Sequence, residues 1–307
     1  MSTAVNATSS PSAPNGGHQE INRASGARKA TDVLARVLMW GAFFLALAPL
    51  VWILFDVVSN GAQLLATSDW WTNSQSGMTV RREGGGAYHA ILGTLLQALV
   101  TALISVPIGI LTAVYLVEYG RGKLARAVSF MVDILTGVPS IVAALFIYAL
   151  WIGTFGFTRV GFAVSLSLVL LMIPTIVRST EEMLKLVPNE LREASYALGV
   201  PKWKTIMSIV LPTAFSGIVT GVLLGLARIM GETAPLLILG PYTKVIWTNL
   251  FQGNMATLPT MINYERQDMA LSAASDRVWG AALTLILLVL LLNLLGRLIA
   301  RFGAVKS

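Results

Sequence analysis

The sequence predicts an all-α membrane protein with about six transmembrane helices, and its composition and its apolar patterning both support that prediction. Of the 307 residues, 55% are hydrophobic and only 12% are charged, which is about half the charged fraction typical of a soluble domain. A chain with so little charge cannot cover a folded surface with polar groups, so much of it must face lipid. Six apolar runs reach or approach the roughly 20 residues that a helix needs to cross a bilayer.

The predicted spans follow a polar N-terminal segment. Residues 1–30 are rich in Ser, Ala, Asn and Gly without an apolar period, which predicts a disordered tail ahead of a membrane domain over 31–307. The first apolar run begins near Val33 and is about 25 residues long, too late and too long for a cleaved signal peptide. The spans are predicted at about 33–57, 89–117, 128–152, 160–177, 209–238 and 278–297.

Two of these spans are irregular in sequence. The fourth is short and contains Pro174, so its ends are poorly defined. The fifth is long and contains Pro212, Gly231 and Pro235. Since proline removes a helical hydrogen bond, we expect a kink or an unwound stretch within the fifth span.

The distribution of basic residues predicts the orientation. With the N-terminus inside, fifteen of the 22 Lys and Arg residues lie in inner segments and six in outer ones, while Arg228 lies within the fifth span. Because cytoplasmic loops carry the excess of positive charge, both termini are predicted to be cytoplasmic. The net charge of +7 then reflects basic inner loops beside membrane lipid, and no nucleic-acid partner is expected.

Composition also limits the chemistry. The chain has no cysteine and only two histidines, His18 and His89, far apart in the sequence. This excludes disulfides and cysteine nucleophiles and argues against a metal site. We therefore expect no catalytic residues, no metal and no cofactor bound by this chain.

The inner loop at 179–208 is predicted to form two short helices. Asn189 is a plausible N-cap, Gly199 suits the position just after a helix, and Pro201 suits the first turn of the next one. A narrow face of small and apolar residues is predicted at Leu191, Ala194, Ser195 and Leu198. On periodicity alone, an ordinary amphipathic hairpin on the membrane surface fits equally well.

The spacing within this loop resembles the EAA motif of ABC importer permeases. Glu193-Ala194-Ser195 is followed by Gly199 and then by Ile209, Leu211 and Pro212 at the family's intervals, with Ser195 in place of alanine as the sole departure. The resemblance implies a type I ABC importer permease (MetI-like) fold with a cytoplasmic coupling helix, seated in a separate ATPase that uses ATP and Mg. Glu193, Ala194, Gly199 and Pro212 would serve that coupling. The chain itself has no G-x-x-x-x-G-K-[ST] phosphate loop.

The fifth span carries two charges, Arg228 and Glu232, one helical turn apart. A charge deep in a bilayer costs at least about 2.5 kcal/mol, so such residues are usually functional. One interpretation is an ion pair that only orients the span. The other is an oxyanion site, in which the Arg228 guanidinium and the Thr233 hydroxyl donate hydrogen bonds and Glu232 holds Arg228 until an anion competes.

The run from Ala227 to Leu237 is similar to the A-R-x-x-G-E-T-A-P-L-L signature of phosphate permeases of the PstA type. Further matches are Gly93-Thr94-Leu95, Glu118-Tyr119 and the stretch from Gly137 to Val142, and the similarity extends over about residues 33–303. It implies a subunit of an ATP-driven phosphate importer in a bacterial inner membrane. Its partners would be the sister permease PstC, two copies of the ATPase PstB and a periplasmic phosphate-binding protein.

Several assignments stay open at this point. Ser140 and Thr136 are candidate pathway hydroxyls, and Asp133 fits either an exposed helix end or a polar network. A small-residue ridge at Gly217, Gly221 and Gly225 predicts close packing within the bundle or against the sister subunit. The alternative functions are a permease for sulfate or molybdate and, more distantly, a membrane enzyme or an uncoupled channel.

The predicted orientation is testable with reporter fusions. A fusion at residue 70 should report an outer location and a fusion at residue 185 an inner one, because basic loops stay on the cytoplasmic side. Paired phosphatase and fluorescent-protein reporters in intact cells measure this directly. The reverse pattern would overturn the topology.

Overall fold

A computed structural model describes residues 26–303, and every regular element within that range is a helix. The predicted tail lies outside the described residues apart from residues 26–30, which are helical. The helices are α1 (Gly26–Leu65), α2 (Ser68–Thr72), α3 (Tyr88–Val114), α4 (Gly122–Gly137), α5 (Ser140–Tyr148), α6 (Gly161–Lys185), α7 (Asn189–Ala197), α8 (Lys202–Thr205), α9 (Leu211–Met230), α10 (Ala234–Leu239), α11 (Leu258–Glu265) and α12 (Ser272–Gly303). Wider π-helical turns extend α3 to Tyr119 and α5 to Thr154, and join α8 to α9.

The chain divides into two units, one ending at Leu54 and one beginning at Phe55. The described part of the first unit is a single apolar helical segment. Its Trp40, Phe43 and Phe44 rings pack on one another with centroids 5.5–5.9 Å apart. The second unit contains all the other helices.

Within residues 26–303, five helices are long and apolar enough to cross a membrane, and a sixth span is present if a bent pair counts as one. They are Ala30–Leu65, Tyr88–Tyr119, Gly161–Lys185, Lys202–Met230 and Ser272–Arg301. The bent pair is Gly122–Gly137 with Ser140–Thr154, which meet at 105°. This agrees with the predicted fold class of about six transmembrane helices.

The structure differs from the predicted spans where helices continue past their apolar runs. Helix α6 extends beyond residue 177 to Lys185, so the loop predicted at 179–208 is shorter by a helical turn or more at each end. Polar residues end an apolar run without ending the helix, because side chains such as Glu181 and Lys185 can extend into water while the backbone hydrogen bonds continue. Predicted span three is not a single straight helix, because Val138 and Pro139 are non-helical and separate α4 from α5.

Helix α6 is the central span of the second unit. Two-thirds of its most apolar stretch is buried, and α3, α4, α5 and α9 all pack against it. The predicted glycine ridge faces α6 in the same chain: Gly217 lies against Met183, Gly221 against Ser179 and Gly225 against Met172. Without side chains at these positions the two helices approach closely, which is how helices gain packing energy in lipid.

At the end of α3 and α12 opposite the α7 loop, a cap of loops is fixed by buried polar contacts. Arg277 and Glu265 form a buried ion pair with an N–O distance of 2.9 Å, and the Arg277 guanidinium also donates to the carbonyls of Val80, Arg82 and Gly84. The Tyr242 hydroxyl donates to Gln75 at 2.9 Å. Burial, with the charge of Glu265, raises the pKa of the Tyr242 phenol, so this donor keeps its proton.

The backbone at Ala256 lies so close to α3 that the contact can be tested by substituting Gly93. A Cβ atom at Gly93 would lie 1.9 Å from the carbonyl oxygen of Ala256, which is backbone and cannot move aside easily. Gly93→Ala should destabilise the protein by about 1–3 kcal/mol, the usual cost of overpacking. Thermal unfolding of the detergent-solubilised protein measures this.

Gly153→Ala is the matched control, because a Cβ atom at Gly153 would meet nothing within 4 Å. Equal unfolding temperatures for the two variants would contradict the close approach at Gly93.

Candidate functional site

Helix α7 lies between α6 and α8, and the residues at its two ends define where it begins and stops. Pro188 occupies the N-cap position, so the predicted cap at Asn189 is wrong; Asn189 is the first helical residue. The C-terminal end matches the prediction: Gly199 has φ +76°, its N–H donates to Tyr196, and the Val200 N–H donates to Ser195. This pair of bonds is a Schellman motif, which ends the helix sharply.

The exposed face of α7 contains Leu191, Ala194 and Leu198, with Leu198 84% exposed. Ser195 was expected on the same face, and that expectation is wrong. The Ser195 side chain is buried, and its hydroxyl lies 2.8 Å from that of Thr205 on α8. Ser195 follows Ala194 by one position on the helix, so its side chain points away from the exposed face. Its hydroxyl contact with Thr205 joins α7 to α8.

The remaining predicted coupling residues lie on either side of this face. Glu193 is exposed and forms no ion pair with any side chain of residues 26–303. Pro212 is the second residue of α9, directly after the π-helical turn Ile206–Val210 that joins α8 to α9. Glu193 is therefore free to contact another protein, while Pro212 shapes the entry to the fifth span.

A buried contact that the sequence did not predict holds the loop to α3. Glu118, in the π-helical end of α3, accepts hydrogen bonds from Nε and Nη2 of Arg192 at 3.1 and 2.9 Å. The Arg192 guanidinium also donates to the carbonyls of Leu184 and Val187 at 3.0 and 2.6 Å. Lys202 donates to the carbonyl of Glu118 and lies over the Tyr119 ring, 4.7 Å from its centroid.

The fifth span is broken where a break was expected. Helix α9 ends at Met230, residues 231–233 are non-helical, and α10 begins at Ala234. Arg228 lies in the last turn of α9 and Glu232 lies within the break, with Nε and Oε1 3.9 Å apart, a loose ion pair. The Arg228 side chain is 53% exposed and that of Glu232 18% exposed, so the guanidinium has donors left for another group.

The other predicted pathway residues are more scattered. Thr233 is half-buried in the break beside Glu232. Ser140 is the first residue of α5, and the Thr136 hydroxyl donates to Val132 within α4. Helix α5 packs against α10, so Ser140 belongs to the group of helices that surrounds the break, whereas no described hydrogen bond connects Thr136 to Arg228, Glu232 or Thr233.

A small cavity lies beside the break. It is lined by residues of α3, α6 and the loop before α11 together with both sides of the break: Thr94, Gln97, Ala98, Leu168, Ile229, Met230, Leu236 and Thr257. Gln97 is buried, and neither its amide nitrogen nor its oxygen has a hydrogen-bond partner among the described residues. The sequence did not predict this cavity, because α3 and the break, which both line it, are about 130 residues apart in the chain.

Asp133 joins a polar network, which the sequence left open. It pairs with Arg178 of α6, and Arg178 also contacts Glu181 at 2.5 Å and the Ser129 hydroxyl at 3.2 Å. The network joins α4 to α6, and no described hydrogen bond or ion pair connects it to Arg228.

The chain matches the family model for binding-protein-dependent transport system inner membrane components over residues 105–302. It is 55% identical over 269 residues to the phosphate transport system permease protein PstA of Mycobacterium leprae, covering 88% of each chain. It is 53% identical over 279 residues to PstA 1 of Mycobacterium tuberculosis H37Rv, covering 91% and 90%. The Yersinia pestis PstA is 39% identical over 273 residues, covering 89% and 90%.

Solved structures are similar in fold at lower sequence identity. A bacterial alginate ABC transporter, in complex with an alginate-bound periplasmic protein, aligns over 91% of this chain and 98% of its own with a TM-score of 0.64 and 16% identity. The inward-facing MetNI methionine ABC transporter aligns over 71% and 94% with a TM-score of 0.56 and 23% identity. Both support the type I ABC importer permease fold.

Proposed function

The chain belongs to the family of binding-protein-dependent transport system inner membrane components, and to its phosphate permeases of the PstA type, and on that basis we propose that it forms half of the pathway of an ATP-driven importer for inorganic phosphate. The observation that carries the proposal is the 39–55% identity, over about nine-tenths of the chain, with proteins named as phosphate permeases. Several membrane-spanning helices make it a multi-pass protein of the inner membrane.

The coupling role is assigned to the α7 loop. Its exposed Leu191, Ala194 and Leu198 offer an apolar contact surface, and Glu193 a free carboxylate for a cation on the partner. In the proposed complex two copies of the ATPase PstB hydrolyse ATP with Mg, and each permease contributes one such helix. This chain is a non-catalytic subunit that pairs with the sister permease PstC.

The anion step is assigned to the broken fifth span. An exposed guanidinium has planar donors suited to an oxyanion, and a loose pair with Glu232 is easily displaced by one. Thr233 supplies a hydroxyl next to it, and Ser140 lies among the helices around the break. Since Arg228 is exposed in the isolated chain, the sister permease would complete the pathway from the other side.

The proposed orientation places the α7 loop and both termini in the cytoplasm, where ATP is available. The cap around Arg277 then faces the periplasm, where a phosphate-binding protein would deliver its ligand. The excess of Lys and Arg on the α7 side supports this arrangement.

Sulfate or molybdate is the alternative cargo, because the coupling loop is common to importers of many substrates. Uptake of labelled phosphate, in cells lacking other phosphate systems, distinguishes these possibilities. Competition by unlabelled phosphate, without competition by equal sulfate or molybdate, supports phosphate. The opposite order would overturn it.

Arg228→Gln should strongly reduce phosphate uptake while leaving the complex assembled. Losing one charge-assisted hydrogen bond of about 1.5–3 kcal/mol lowers uptake at limiting phosphate by about 10- to 100-fold. Initial uptake rates and co-purification of the subunits measure the two effects. Arg266→Gln, which removes an exposed arginine on the cap, should transport normally, and normal affinity in Arg228→Gln would make Arg228 structural.

Gly199→Val should weaken ATPase association and abolish transport. A non-glycine residue at φ +76° costs about 1–2 kcal/mol, and the Schellman turn that fixes the end of α7 is lost. Because Asn tolerates this conformation better, Gly199→Asn should retain more activity. Pull-down of the ATPase on the tagged permease measures association; intact co-purification with full uptake in Gly199→Val would contradict the docking role.

A further inference from the structure

We propose that Glu118 is a positioning residue that ties the coupling helix to α3, so that ATPase-driven movement of α7 reaches the break at Gly231–Thr233 through α3 as well as through the chain itself. The inference rests on the proposed transport function. The role of α3 in transmitting the movement follows from two sets of contacts, one near each end of this helix.

The first set is at the end of α3 nearest the loop. A single carboxylate oxygen of Glu118 accepts two hydrogen bonds from Arg192, and the side chains are only 5% and 12% exposed respectively. A buried charge-assisted pair of this kind is costly to break from one side, because the remaining charge is left without a partner. Its geometry therefore stays fixed when α7 is pushed.

The Arg192 guanidinium also donates hydrogen bonds to main-chain groups. The remaining donors of its guanidinium go to the carbonyls of Leu184 and Val187, at the end of α6 and in the segment that leads to α7. Lys202 of α8 reaches the same turn of α3, through the Glu118 carbonyl and the Tyr119 ring. The end of α3 thus contacts α7 through Arg192 and α8 through Lys202.

The second set lies about 32 Å along α3 from Glu118, at 1.5 Å per helical residue. There Gln97 and Thr94 line the cavity beside the break, opposite Ile229, Met230 and Leu236. The Thr94 hydroxyl accepts a hydrogen bond from the Leu258 N–H at 2.9 Å, and Gly93 contacts the Ala256 carbonyl. Pro107 removes one backbone hydrogen bond within α3, but the helix continues without a break from Tyr88 to Tyr119. A continuous helix that is joined firmly to the loop at one end and lies beside the break at the other can transmit a displacement.

This arrangement predicts a loss of coupling and not of binding. In Glu118→Gln the carboxylate charge is lost while the side-chain shape is kept, so α7 can still dock on the ATPase. The reconstituted complex, with phosphate-binding protein and phosphate as the probe, should keep basal ATP hydrolysis. Phosphate imported per ATP hydrolysed should fall by about tenfold, within the range typical of coupling between distant sites.

The control is another buried Arg–Glu ion pair, in the cap at the opposite end of α3. Glu265→Gln breaks the Arg277 pair, whose side chains are 0–1% exposed, and should lower the yield of assembled complex without changing phosphate imported per ATP. Phosphate per ATP in Glu118→Gln equal to that of wild type would overturn the role of Glu118. A wild-type complex that imports no phosphate would instead refute the proposed function.

If the complex with Glu118→Gln does not assemble, two further variants test the contact between α3 and the α7 loop. Arg192→Lys keeps the charge but loses the multiple contacts of the guanidinium, and Lys202→Met removes the second contact to α3 while retaining the ion pair. Each should lower phosphate imported per ATP in the assembled complex. Wild-type values in both would overturn the inference.

Discussion

Close packing around α6 is the constraint on which the rest of the structure depends. In lipid, apolar side chains gain little by leaving the solvent, so helices associate through close contact and through polar groups that find partners. The glycines of α9 allow this contact along three successive turns, against Ser179, Met183 and Met172. With α6 held between α3 and α9, its end fixes where the coupling loop begins.

This rigid centre makes the irregular spans possible. Three residues leave the helical conformation at the break in the fifth span, and backbone groups at such depth must be shielded by protein or by a polar cavity. Ile229 and Leu236, on the two sides of the break, are both buried in one apolar cluster with residues of α5 and α6. The break is therefore supported by packing on one side and carries its charged side chains on the other.

The sequence predicted those features that depend on local chemistry. Apolar length predicted about six spans, the proline and glycine content of the fifth predicted its break, and Gly199 predicted the end of α7. Features that depend on distant contacts were missed. Ser195 was placed on the wrong face because its partner Thr205 belongs to the next helix. The Glu118–Arg192 pair joins residues 74 positions apart, and the 105° bend at Val138 and Pro139 was not predicted within the third span.

The cap around Arg277 has a consequence for how the protein can diverge. Arg277 holds the segment before α3 through the main-chain carbonyls of Val80, Arg82 and Gly84, and every amino acid supplies such an acceptor. The shape of that segment is thus specified by one buried arginine and by the positive φ of Gly84, while the side chains at positions 80 and 82 are not required for it. Mutations there can alter the surface of the cap while the scaffold beneath it is preserved, so this surface can diverge without a change of fold.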